Sequence, residues 1–130
     1  MQHILIAGGS GLIGTRLSEM LAALGYNVDD KAIEEADVVI NLAGAGIADE
    51  RWTSERKQLI IDSRVKSTLL LRDAMLRVAK RPTLFLSGAG IGYYGSRGDE
   101  LLKEEAGPGV GFLAESCQVW EKAIEEVAAT

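Results

Sequence analysis

Three glycines spaced three apart, Gly8, Gly11 and Gly14, close a short apolar run and open a helical pattern. The stretch reads His3-Ile4-Leu5-Ile6-Ala7-Gly8-Gly9-Ser10-Gly11-Leu12-Ile13-Gly14. Residues of this kind at this spacing suit the reception of a pyrophosphate. Glycines let the backbone turn tightly and approach a ligand, and the first turn of a helix leaves N–H groups unpaired and pointing outward. The candidate contacts are Gly8, Ser10 and Gly11 in the turn and Leu12, Ile13 and Gly14 at the helix start. The spacing is G-x-x-G-x-x-G, not the G-x-G-x-x-G of the simplest dinucleotide fingerprint. A nucleoside-triphosphate loop is excluded, because Thr15-Arg16 follow Gly14 where Lys-Ser/Thr would be required. A tight strand-to-helix turn without a ligand is the competing reading. Position favours the ligand, since open α/β sheets bind at the carboxyl ends of their strands.

The elements that must hold this loop follow from periodicity. Ile4 to Ala7 reads as a strand, and Leu12, Ile13, Leu17, Met20, Leu21 and Leu24 recur at helical spacing until Gly25 stops them. A stub of a second strand is expected at 26–28, then a short helix ending near Ala36 with Asp29 or Asp30 as its N-cap. Asp37 to Gly44 reads as a strand, and the unbroken Val38-Val39-Ile40 suits one covered on both faces of a parallel sheet. Thr53 to Arg81 is helical, with Leu59, Ile60, Val65, Leu69, Leu70, Ala74, Leu76 and Val78 mostly to one side. At about 40 Å such a helix is expected to bend or break before Pro82. A buried strand, Thr83 to Ser87, leads into the glycine-rich segment 88–95. A last helix from about Phe112 places Leu113, Cys117, Trp120, Ile124 and Val127 on one face. The alternation predicts an α/β fold, a parallel sheet with helices on both faces, and right-handed crossovers give the spatial order 2-1-3-4.

Composition narrows the function classes. The 130 residues make one domain, and 47% hydrophobic with 5% aromatic residues suits an aliphatic core. A net charge of −5 argues against nucleic acid as the main partner. One cysteine, Cys117, excludes a disulfide framework and a cysteine-based metal cluster, and the lone His3 belongs to the first strand. The chain enters that strand at once, without the basic and apolar regions of a signal peptide, and no apolar run reaches membrane-spanning length. A soluble protein of the cytoplasm, or of an organelle matrix, is expected.

By Gly14 the chain resembles the extended short-chain dehydrogenase/reductase superfamily. Asn41-Leu42-Ala43-Gly44, Ile47-Ala48, Arg51-Trp52, Gly92-Tyr93-Tyr94-Gly95, Arg97-Gly98-Asp99-Glu100 and Trp120-Glu121 narrow the likeness to its atypical epimerase/dehydratase-like family. Some members of that family carry a cell-division-inhibitor label. The resemblance implies a Rossmann-like domain binding NADP or NAD and acting on a hydroxyl-bearing small molecule, nucleotide-sugar-like in kind. By the same likeness Asn41, Leu42, Ala43 and Gly44, with Ser87 and Gly88, line the cofactor beside the glycine loop. On the residues alone, 41–44 is equally a strand end with a turn, and Ser87 a hydroxyl satisfying backbone.

The chain departs from the superfamily's pattern at the catalytic positions. The usual Ser/Thr falls on Ala89, and the Tyr and Lys of Tyr-x-x-x-Lys fall on Leu113 and Cys117. Tyr93 and Arg97 repeat the Tyr-x-x-x-basic spacing, and a guanidinium beside a phenol lowers its pKa. The flanking glycines argue for a loop, which favours Tyr93 packing beside the nicotinamide or substrate; it is also the candidate acid/base. Cys117 reads as a core residue, since a reactive thiol needs a basic neighbour. The segment between Val28 and Asp37 is shorter than in the family and lacks its Arg for a 2′-phosphate. Asp29 and Asp30 stand there instead, either as helix caps or as ribose-binding acids that would favour NAD. The family continues beyond this chain's last helix into a substrate-binding part, so residues 1–130 are expected to form the single dinucleotide domain. The sheet edge beside the first strand invites a second copy, and a homodimer is expected. The alternative function is a cofactor-binding module without turnover, serving redox sensing or interaction.

Overall fold

The structure, a computed structural model, describes residues 2–29 and 33–130. Four strands, β1 (His3–Ala7), β2 (Asn27–Asp29), β3 (Val38–Asn41) and β4 (Leu84–Ser87), alternate with three helices. These are α1 (Leu12–Ala23), α2 (Ser54–Arg77) and α3 (Phe112–Ala128), and a 3-10 turn spans Ile91–Tyr94. The strands form one parallel sheet in the expected order, β2-β1-β3-β4. Its register sets Ala7, Asn41 and Ser87 side by side, so the loops after β1, β3 and β4 leave the sheet at one level.

Because β2 lies on one side of β1 and β4 on the other side of β3, right-handed crossovers put α1 and α2 on opposite faces. On the α2–α3 face Leu5, Val39, Met75 and Val127 are buried together, with Leu71 and Phe85 packed against them. The α1 face is covered only toward β1, where Ile4 and Ile6 are buried, while Leu84 and Leu86 of β4 are each 47% exposed. The helical cover on that face is therefore partial.

The apolar stripe of α1 is not a core stripe. Leu12, Ile13, Met20 and Leu24 are exposed, and Gly14 is the buried residue of the helix. Contact at Gly14 draws the helix start onto the loop; Leu17 and Leu21 are half-buried, while Leu12 and Leu24 face the uncovered side. Gly25 ends α1 as expected: at φ +86 it donates to Ala22 O, and Tyr26 N–H donates to Leu21 O, a paired C-terminal cap.

Three other expectations are corrected. The helix α2 runs unbroken from Ser54 and stops at Arg77, well short of Pro82, with Leu59, Leu70 and Leu76 exposed. Thr53 caps it by accepting from Arg56 N–H. Residues 33–36 form a turn closed by Ala36 N–H to Ile33 O, not the end of a helix, while Asp30 lies outside the described residues. Nor is β1 a sheet edge: β2 pairs with it, so the edges are β2 and β4. Among the described residues no helix is long and apolar enough to cross a membrane.

One polar link crosses this core. Asn41 is fully buried at the end of β3; its Nδ2 donates to Thr68 Oγ1 at 3.0 Å, and Thr68 Oγ1 donates to Arg64 O at 2.8 Å. Thr68→Val keeps the shape but strands the Asn41 amide, so unfolding free energy is expected to fall by about 1–3 kcal/mol in urea titrations.

Candidate functional site

The glycine loop owes its shape to backbone contacts that leave no space for side chains. Gly8 has φ +85, and a Cβ there would stand 2.8 Å from the carbonyl carbon and oxygen of Leu42 and 2.9 Å from Ala43 N. A Cβ on Gly14 would strike Gly8 O and lie 2.7 Å from Gly9 Cα. Gly11 differs. Its φ of −76 and ψ of 170 suit any residue, and an added Cβ would meet only Gly8 O, at 3.4 Å. No side chain caps α1 and its first turn holds no acidic residue. The amides opening that helix are thus without a capping side chain, and the positive end of its dipole lies behind them, an arrangement worth about 0.3–1 kcal/mol toward an anion. Arg16 is exposed and engaged with Glu19 at 2.9 Å.

The second loop is moulded onto the first. Asn41 Oδ1 accepts from Ala43 N–H at 3.2 Å while its Nδ2 is held by Thr68, so this side chain shapes the turn 42–44 from beneath. Leu42 N–H donates to Ala7 O at 2.8 Å, and Gly88 N–H donates to Asn41 O at 2.9 Å. Gly8, Leu42, Ala43, Gly44, Ser87 and Gly88 therefore lie along one edge. Ser87 Oγ is directed to Gly88 O at 3.3 Å, the backbone-satisfying role.

Beyond Gly44 stands Arg64 of α2, whose Cζ would be 3.0 Å from a Cβ at that glycine. The guanidinium lies over the Trp120 ring, with Cζ 5.3 Å from its centroid, and NH1 donates to Ala45 O and Ile60 O, each at 3.0 Å. Burial lowers the Arg64 pKa from its ordinary value. A cavity of about 510 Å3 opens here between α2, α3 and the 89–95 segment, and Leu113, Cys117 and Ala89 all line it. Cys117 is buried, its thiol donates to Gly90 O at 3.6 Å, and burial followed by the Glu121 charge pushes its pKa up. It is a packed thiol, with the Arg64 charge acting against that rise.

Tyr93 is half-buried in a neighbouring cavity of about 450 Å3 with Tyr94, Glu104 and Glu121. The two cavities share Ala89, Gly90 and Ile91. Arg97 does not serve Tyr93. Its guanidinium grips Glu100 at 2.7 and 2.8 Å and Gly107 O at 3.1 Å, and the hydrogen bond to Glu100 raises its pKa. Trp52 N–H donates to Ile47 O at 2.7 Å and its ring meets Phe112 edge-on, which ties the loop before α2 to the start of α3.

Arg64 and the indole N–H of Trp120 are absent from the sequence reading. A signal for Arg64 existed: Ile60, Arg64 and Thr68 are spaced four apart on one stripe of α2, and Ile60 and Thr68 are fully buried. An arginine on such a stripe is held against the interior.

A parallel sheet with a glycine turn opening a helix at its carboxyl edge defines a Rossmann-like α/β domain. No family model matches the chain. It is 32% identical over 143 residues to an epimerase family protein of Mycobacterium leprae, covering 92% of this chain and 46% of that protein. Its likeness to an epimerase family protein of Mycobacterium bovis is 34% over 143 residues, covering 92% and 47%. Among solved structures, a human epimerase family protein crystallised with NADPH superposes with a TM-score of 0.86 at 25% identity, covering 94% of this chain and 48% of that one. A nucleoside-diphosphate sugar epimerase from Corynebacterium glutamicum superposes with a TM-score of 0.80 at 29% identity, covering 98% and 31%. Across the span it shares with these proteins, the chain is similar in sequence and fold to epimerase family proteins of the atypical short-chain dehydrogenase/reductase kind. It spans about half the length of the curated relatives it matches.

Proposed function

We propose that the chain is the NAD(P)-binding domain of an epimerase/dehydratase-like oxidoreductase acting on a hydroxyl-bearing small molecule. The supporting observation is the room at Gly11, where an added Cβ would meet only Gly8 O, at the start of a helix that no side chain caps. The residues present suit a dinucleotide. Gly8, Ser10, Gly11, Leu12, Ile13 and Gly14 would take the pyrophosphate, and Asn41, Leu42, Ala43, Gly44, Ser87 and Gly88 would border the remainder. When bound, a nicotinamide dinucleotide supplies hydride acceptance and donation. Tyr93 is the acid/base of this reading, moving a proton at its phenolic oxygen. A nucleotide-linked sugar is the substrate kind that the family likeness brings to mind. A cytoplasmic setting and a homodimer joined through an outer strand of the sheet complete the reading.

The second reading, a cofactor-binding module without turnover, is favoured by one observation. Arg97 is spent on Glu100, and Ala89, Leu113 and Cys117 bring no working acid or base to the larger cavity. Titration by NADPH and NADH fluorescence, followed by hydride exchange assays on the native chain and Tyr93→Phe, separates these readings. Binding of either cofactor with turnover lost in Tyr93→Phe is expected. Full turnover by that variant would remove Tyr93 from the chemistry, and binding without turnover would select the module. Tighter binding of NADPH than NADH would remove the ribose role of Asp29 and Asp30.

A further inference from the structure

The cavity beside Gly44 holds one charged side chain. Arg64 is its single cation, and no carboxylate lies among its lining residues or within ion-pair distance of the guanidinium among the described residues. NH1 is occupied by Ala45 O and Ile60 O, while Nε and NH2 have no acceptor among the described residues. A second donor is also unspent: Trp120 is 9% exposed, and its Nε1–H is buried without an acceptor. The other polar lining side chains are satisfied, Ser116 Oγ by Leu113 O and Cys117 Sγ by Gly90 O. The rest of the wall is aliphatic or glycine, including Ile47, Ile60 and Leu113.

A buried donor without an acceptor, the Trp120 indole N–H, is costly in a folded protein unless something accepts from it, and the half-buried Arg64 guanidinium beside it carries a charge without a counterion among the described residues. The complement is an anionic group with two acceptor oxygens, and a guanidinium meets a carboxylate through paired N–H bonds. A doubly charged phosphate would ask for more than one cation. We propose that this cavity binds an apolar small molecule through a single carboxylate, gripped by Arg64 and joined by the indole N–H of Trp120. Since Arg64 borders Gly44, this molecule is the substrate if the cradle reading holds, and the proposal rests on that reading for the word substrate alone.

The test uses the whole chain labelled with 15N and three probes: 3-phenylpropionate, 3-phenylpropionamide and phenyl phosphate. The protein has two tryptophans, so Trp52→Phe assigns the two indole N–H signals, and Trp52 is already donated to Ile47 O. Expected are a shift of the Trp120 signal with the acid, at least tenfold tighter binding of acid than amide, and at least tenfold loss in Arg64→Gln. Because Arg64 also braces two carbonyls, Arg64→Lys supplies a variant that keeps the charge, and it is expected to retain part of the preference for the acid. Trp120→Phe is expected to weaken acid binding severalfold without touching the amide. Equal affinity for acid and amide, no binding of the acid, or a folded Arg64→Gln that still prefers the acid overturns the proposal. Tighter binding of phenyl phosphate overturns it in favour of a phosphate ligand. NADPH titration of the native chain is read separately: preference for the acid without NADPH binding supports the carboxylate site while the cofactor reading falls.

Discussion

Gly11→Trp is expected to abolish dinucleotide binding and leave the domain folded. The backbone at Gly11 is extended, so the substitution brings no conformational strain, and its Cβ finds only Gly8 O, at 3.4 Å. The indole is expected to lie over the first turn of α1. There it covers the amides that have no capping side chain and denies them to a phosphate. Loss of those donors and of the space itself should lower NADPH affinity more than a hundredfold, about 2.7 kcal/mol or more. The fold should lose under about 1 kcal/mol, since glycine at this position supplies no side-chain cap to forfeit. NADPH fluorescence titration and urea unfolding of the same preparation check both halves. Binding within threefold of the native chain would mean that the ligand, if any, sits elsewhere.

The sheet was legible because its signals are local. Val38-Val39-Ile40 has no polar alternation and proves to be an inner strand, and Gly25 marks the end of α1 to the residue. The strand order follows from crossover handedness once four parallel strands are placed. What could not be read depends on what packs where. An apolar stripe at helical spacing says that Leu12, Ile13, Met20 and Leu24 share a side of α1, not that this side is covered, and it is not. The pairing of Tyr93 with Arg97 was plausible by spacing, yet Glu100 stands closer to the guanidinium and carries the opposite charge. Arg64 was hidden for the converse reason. Charged residues on helices usually face water, and only the four-residue spacing between two buried neighbours sets this one apart.

The three glycines of the loop look alike in sequence, yet Gly14→Ala should behave in the opposite way to Gly11→Trp: the fold fails first, and binding fails with it. Alanine is the better helix former by about 1 kcal/mol, so propensity alone predicts a stabilised protein. Against this stands a collision with backbone. A Cβ at 14 would strike Gly8 O, with Gly9 Cα at 2.7 Å and Gly8 C at 3.0 Å, and none of these atoms can rotate away as a side chain would. Either α1 lifts from the loop or the loop moves toward Leu42, where Gly8 is already so close that its own Cβ would stand 2.8 Å from that carbonyl. Overpacking of this kind costs about 1–3 kcal/mol even where side chains can adjust, and here they cannot, so steric cost outweighs propensity. A net loss of about 2 kcal/mol is expected in urea unfolding, with NADPH affinity reduced because the displaced helix start no longer faces the cradle. Gly9→Ala is the matched control, since its Cβ meets Ile6 O at an ordinary 3.4 Å. A Gly14→Ala protein as stable as the native chain would show that the helix does not rest on the loop, and the glycine spacing would then owe its shape to the ligand alone.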